Sequence, residues 1–174
     1  MKDIRKMTYI SLLVAMSLVL HIFENMIPVP FITPGAKLGL ANIITVIALY
    51  TLNYKETFLV LLLRIILSVM FGGSISRLIY SLSGAILSYL AMVVTKNIGK
   101  NHVSIIGVSS VGAVFHNIGQ LAAAALIVNT FGVMLYLPIM TIAGVGTGIF
   151  VGLTGNFAVS HLKKISKQMG FDFI

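Results

Sequence analysis

The sequence predicts an all-α polytopic membrane protein, a bundle of six transmembrane helices, and three observations predict it. Charged residues make up 9% of the 174 positions and hydrophobic ones 58%, with a mean hydropathy of +1.05. A water-soluble chain of this length could not hide that much apolar surface, so its solvent is lipid. Six apolar segments, roughly 8–27, 36–52, 56–71, 75–95, 103–128 and 135–160, are parted by helix breakers. Nine of the twelve Lys and Arg residues then fall on one side of an alternating bundle.

The first segment follows a basic start, Lys2, Arg5 and Lys6, and runs from Thr8 to Ile27. A secretory leader opens the same way. This run is too long for one and lacks a small-residue cleavage site, so it is expected to remain as a membrane helix. Pro28, Pro30, Pro34 and Gly35 close it. Segments two and three are short against the ~20 helical residues a bilayer core needs, and Asn53-Tyr54-Lys55 separates them. Gly72-Gly73 precedes the fourth segment, Asn97 to Asn101 the fifth, and Asn129 to Gly132 the sixth. Residues 1–174 are expected to form one integral membrane domain, with no room for an added soluble one.

Charge sets the expected orientation. Lys2, Arg5, Lys6, Lys55, Lys96, Lys100, Lys163, Lys164 and Lys167 face the cytoplasm, leaving Lys37 and Arg77 outside and Arg64 within segment three. Both termini are then inside the plasma membrane of a bacterium. The formal charge of +8 is no nucleic-acid signature, because these residues sit at helix ends where they anchor to anionic lipid. The absence of cysteine removes disulfides, thiol chemistry and Cys-ligated metals.

With direction assigned, each polar residue has a depth. His21, Glu24, Asn25, Asn42, Arg77, Ser81, His116, Asn117 and Gln120 converge on the outer half, while the inner half carries little beyond Asn156. An ionisable group at such depth costs about 3 kcal/mol or more unless it meets a cavity or a partner. Glu24 and Arg77 are one candidate ion pair. Arg64 has no acid near its depth, which favours a ligand or a backbone carbonyl as its partner. His116 and Gln120 share a helical face with Asn117 beside them, as the wall of a cavity would. His21 and His116 are not expected to bind a metal. The rigid loop from Pro28 to Gly35 suits a lid or a plain connection equally. Gly144, Gly148 and Gly152 make a smooth stripe for close internal packing, and Ser11 and Ala15 make a smaller one on helix 1.

Three stretches, Pro34-Gly-Ala-Lys-Leu-Gly-Leu-Ala-Asn42, Phe71-Gly-Gly-Ser-Ile-Ser-Arg77 and His116-Asn-Ile-Gly-Gln-Leu121, resemble a known membrane family over nearly the whole chain. It is the family named heptaprenyl diphosphate synthase component I, also called Gx transporter. That family is similar in turn to the substrate-binding S components of energy-coupling factor (ECF) transporters. The resemblance implies six helices, both termini inside and a vitamin pocket near the outer face. It also implies docking to a transmembrane coupling protein through small residues of helix 1. Ser11-x-x-x-Ala15 matches that pattern, with Ser in place of the usual first Ala.

The synthase in the family's name finds no support in the residues. Such enzymes hold magnesium on a diphosphate through Asp-rich clusters, whereas the four acids here, Asp3, Glu24, Glu56 and Asp172, stand far apart. There is no Walker-type phosphate loop either, so an ATP-driven step must come from other subunits. No enzyme activity, cofactor or metal is expected.

The expected function is an S-component-like subunit that captures a small, anionic, vitamin-like or prenyl- or flavin-related molecule. Glu24, Lys37, Asn42, Arg64, Arg77, His116, Asn117 and Gln120 are its expected site, with Ser11 and Ala15 docking to a coupling protein and its ATPases. The alternative is a non-transporting accessory subunit for isoprenoid or quinone-linked redox enzymes. A self-sufficient carrier is the third option, and the lack of an inner polar gate argues against it.

Overall fold

Lipid offers no partner for backbone N–H and C=O groups, so an apolar run satisfies its own by closing into a helix. The computed structural model describes residues 2–26, 39–71, 75–100 and 102–169, at positions 2, 3, 25, 75–77 and 169 by the backbone alone. Among them the chain is all helical. The helices are α1 (Lys2–Met26), α2 (Leu40–Thr51), α3 (Tyr54–Met70), α4 (Ile75–Gly99), α5 (Ile105–Val128) and α6 (Leu137–Met169), with a 3-10 turn at Phe131–Tyr136 before the last. The Pro-rich loop, Lys37 and Gly72-Gly73 lie outside the described residues.

Each apolar segment corresponds to one helix, but three helices overrun their segments by a turn or more. α1 begins at Lys2, α4 continues to Gly99 and α6 to Met169. The apolar run measures what lipid covers, whereas the helix continues until something breaks it. Lys and Gln are good helix formers, and basic side chains suit a helix C-terminus.

Helices consecutive in the chain alternate in direction, so α1 and α3, which pack together, run parallel. Lys6 of α1 pairs with Glu56 at the start of α3, and Glu56 also accepts the Asn53 N–H at 3.2 Å, which closes the first turn of α3. Tyr9 donates to Thr51 Oγ1 at 3.0 Å, joining the start of α1 to the end of α2. Tyr54 donates to Asn97 near the end of α4. Lys96 donates to the Leu49 carbonyl at 2.6 Å while lying over the rings of Tyr50 and Tyr54, 4.5 and 5.3 Å from their centroids. The basic residues named above for one side therefore gather at one end of the bundle.

α2 packs against α1, α3 and α6, while α4, α5 and α6 form a consecutive sheaf. Nine of the twelve residues of α2 are buried. An apolar helix of that length belongs in a core rather than across a bilayer by itself. Thr57, fully buried, ties α3 to it by donating to the Ala48 carbonyl at 3.0 Å. The outside is inverted relative to a water-soluble protein. Leu12, Phe23, Ile66, Leu126, Ile142 and Phe157 are all exposed, an apolar surface that only lipid or a partner would cover. Four stretches, Ile4–Glu24, Leu78–Gly99, Ile105–Val128 and Phe131–Gln168, are long and apolar enough to span a membrane.

The glycine stripe of α6 packs internally, against α5. A Cβ at Gly148 would lie 2.5 Å from Ser110 Cα, and one at Gly152 2.6 Å from Ile106 Cα. Backbones this close leave no room for a side chain. Gly146, one face away, would meet nothing within 4 Å. Gly148→Leu is therefore expected to cost about 2 kcal/mol or more by overpacking, and Gly146→Leu close to nothing. Thermal unfolding in detergent, followed by circular dichroism, checks both.

Candidate functional site

All six helices contribute to one polar cavity in the half of the bundle away from Lys6 and Lys96. Its volume is about 90 Å³, and its walls include Glu24 of α1, Asn42 of α2, Arg64 of α3, and His116, Asn117 and Gln120 of α5. Six of the eight residues expected from sequence are thereby brought together. Lys37 and the Arg77 side chain lie outside the described residues, so the Glu24–Arg77 pair does too.

The site is organised around the first turn of α2. Gly39 precedes that helix with φ 77°, a left-handed conformation that glycine adopts without strain. The first N–H groups of a helix have no partner within it and carry its positive dipole end. Here Glu24 provides the partner, its Oε1 accepting from the N–H of both Gly39 and Leu40. Arg64 reaches the same turn from α3 and donates to Asn42 Oδ1 at 3.2 Å. Both charged residues are deeply buried, Glu24 at 5% and Arg64 at 7% exposure.

This corrects one expectation. Arg64 does have an acid near it, since Glu24 lines the same cavity and acts on it electrostatically. Counting positions along separate helices placed the two at different depths. The start of α2 is where they meet, because Gly39 and Leu40 take one and Asn42 takes the other. Glu24 and Arg64 nevertheless make no direct ion pair, Lys6–Glu56 being the one formed among the described residues.

α5 forms the opposite wall, held close by glycines. A Cβ on Gly84 of α4 would fall 2.8 Å from both Gln120 Cγ and the His116 carbonyl, and one on Gly119 2.7 Å from the Ser83 carbonyl. Asn117 is fixed by donating to the Met140 carbonyl of α6 at 2.6 Å. The sequence places His21 and Ser81 in the outer half without including them in the site, and singles out neither Ser68 nor Thr147, yet all four line the cavity. Helical spacing could have found two of them: His21 is three residues from Glu24 and Ser68 four from Arg64. Thr147 gave no comparable signal. Among the described residues no three His, Cys, Asp or Glu side chains come together as a metal site. Ser11 and Ala15 lie away from the cavity, on the exposed face of α1.

Apolar helices long enough to span a bilayer, enclosing a charged cavity, define a polytopic membrane protein with an internal polar site. The chain belongs to the heptaprenyl diphosphate synthase component I family, whose model matches residues 13–158. Comparison with curated proteins and with solved structures finds no match.

Removing one of two opposite buried charges leaves the other uncompensated, at a cost of about 3–5 kcal/mol. Glu24→Gln and Arg64→Met are each expected to destabilise strongly. The double variant should be more stable than the sum predicts by at least ~1 kcal/mol. A double-mutant cycle on thermal or denaturant unfolding in detergent measures that coupling.

Proposed function

We propose that this chain is the substrate-binding membrane subunit, S-component-like, of an ECF-type uptake transporter for a small molecule carrying an anionic group. The observation that supports this most directly is the cavity: a buried arginine, a carboxylate, amides and imidazoles collected in an otherwise apolar bundle. Such groups are costly in lipid unless they face a cavity or one another. In this reading all six helices cross a bacterial plasma membrane, the short α2 and α3 being shielded by their neighbours. The lysine-rich end and both termini are cytoplasmic by the positive-inside rule, and the cavity belongs to the outer half.

Arg64 anchors the anionic group, with Lys37 and Arg77 adding positive charge on that side. Asn42, His116, Asn117 and Gln120 fix the ligand's orientation. Ser11 and Ala15, exposed on α1, dock to a transmembrane coupling protein whose ATPases drive reorientation of the bundle. At about 90 Å³ the cavity is far below the ~300 Å³ at which sites for drug-sized ligands begin. A cavity of that size suits a ligand of few heavy atoms better than a flavin or a prenyl diphosphate. The chain itself is proposed to be non-enzymatic, since its scattered acids give no diphosphate-metal cluster.

The family's own description favours a second reading, an accessory subunit for isoprenoid or quinone-linked redox enzymes. Native mass spectrometry of the gently purified protein separates the two. A retained polar metabolite with ATPase subunits is the expected result, whereas a co-purifying synthase or redox enzyme would replace the transporter reading. Arg64→Ala and Arg77→Ala are each expected to weaken ligand binding at least ~10-fold, about 1.4 kcal/mol. Full affinity in both variants would end the anion-site idea.

A further inference from the structure

Glu24 and Arg64 face one cavity without touching, and that separation is informative. An acid and a base whose sole task is mutual neutralisation close into a hydrogen-bonded pair, the arrangement that best offsets their desolvation. Here each is turned to the first turn of α2 instead, Glu24 to the N–H groups of Gly39 and Leu40 and Arg64 to Asn42 Oδ1. Both remain more than nine-tenths buried, and the cavity reaches both. It thus offers a negative pole and a positive pole at fixed positions. Around them stand side chains that both donate and accept, Asn117, Gln120, Ser68 and Ser81.

We infer that the cavity takes a small zwitterion, whose anionic group meets Arg64 and whose ammonium meets Glu24. This rests on the binding-subunit reading above and names its ligand class. A simple anion satisfies Arg64 but brings its own charge against the Glu24 carboxylate. A simple cation does the reverse at Arg64. A molecule carrying both charges offsets each pole and adds no net charge to a low-dielectric interior, where an uncompensated charge is most costly. The volume of about 90 Å³ suits a ligand the size of a small amino acid.

The test uses the full chain in dodecyl maltoside, an uncharged detergent that removes zwitterionic lipid headgroups as a competing source. Isothermal titration compares L-alanine with propionate, which lacks the ammonium, and with isopropylamine, which lacks the carboxylate. Binding of L-alanine at least tenfold tighter than either is expected. In Glu24→Gln that preference should disappear, with propionate binding as well as L-alanine. If wild-type protein binds propionate as tightly as L-alanine, the zwitterion inference fails while an anion-binding subunit survives. If no probe binds and a metabolite bearing a single charge is retained in native mass spectrometry, the inference fails alone. If no probe binds and no metabolite is retained, the cavity is only water-filled and both readings fail.

Discussion

Helix α2 begins half-buried at the edge of the polar cavity, and the amide groups of its first turn find partners there. In water those groups would be solvated, but in a bundle surrounded by lipid each unpaired one costs free energy comparable to a lost hydrogen bond. Glu24 bonds two of them and sets a negative charge at the positive end of the helix dipole. Arg64 faces that carboxylate across the same cavity without pairing with it, donating to Asn42 Oδ1 instead. At its other end α2 meets the converse solution, Lys96 donating to the Leu49 carbonyl. The central helix is thus matched at both ends by side chains from its neighbours.

The two ends nevertheless differ. Around the end of α2 the polar groups form a closed set: Lys6 with Glu56, Tyr9 with Thr51, Tyr89 with the Tyr54 carbonyl at 2.7 Å, and Lys96 between two tyrosine rings. Around its start they border a cavity. The first arrangement anchors the helices, and the second leaves polar side chains facing a cavity.

Lipid also explains how the remaining helices pack. With apolar tails outside, helices gain little by hiding apolar side chains and associate through close contact of small residues. The α4–α5 crossing at Gly84 and Gly119 and the α5–α6 crossing at Gly148 and Gly152 are of this kind. Their closeness has a consequence for the site, since it brings His116 and Gln120 against α4 and Asn117 onto the Met140 carbonyl.

Much of this was legible in the residues themselves. Apolar run length determined the helices, because lipid requires every backbone group to be satisfied within its own segment. Alternating charge determined which helix ends share a side, and the glycine period at 144, 148 and 152 announced tight packing. Six of the expected site residues could be grouped because polar side chains are rare in such a chain and each carries a depth. Depth along a helix says nothing about which faces meet or which groups touch. Tertiary structure alone decided that Glu24 and Arg64 both turn to the first turn of α2, that neither closes on the other, and that Thr147 joins them. Those facts depend on the burial of α2 among α1, α3 and α6, a three-dimensional arrangement that hydrophobicity along one chain does not encode.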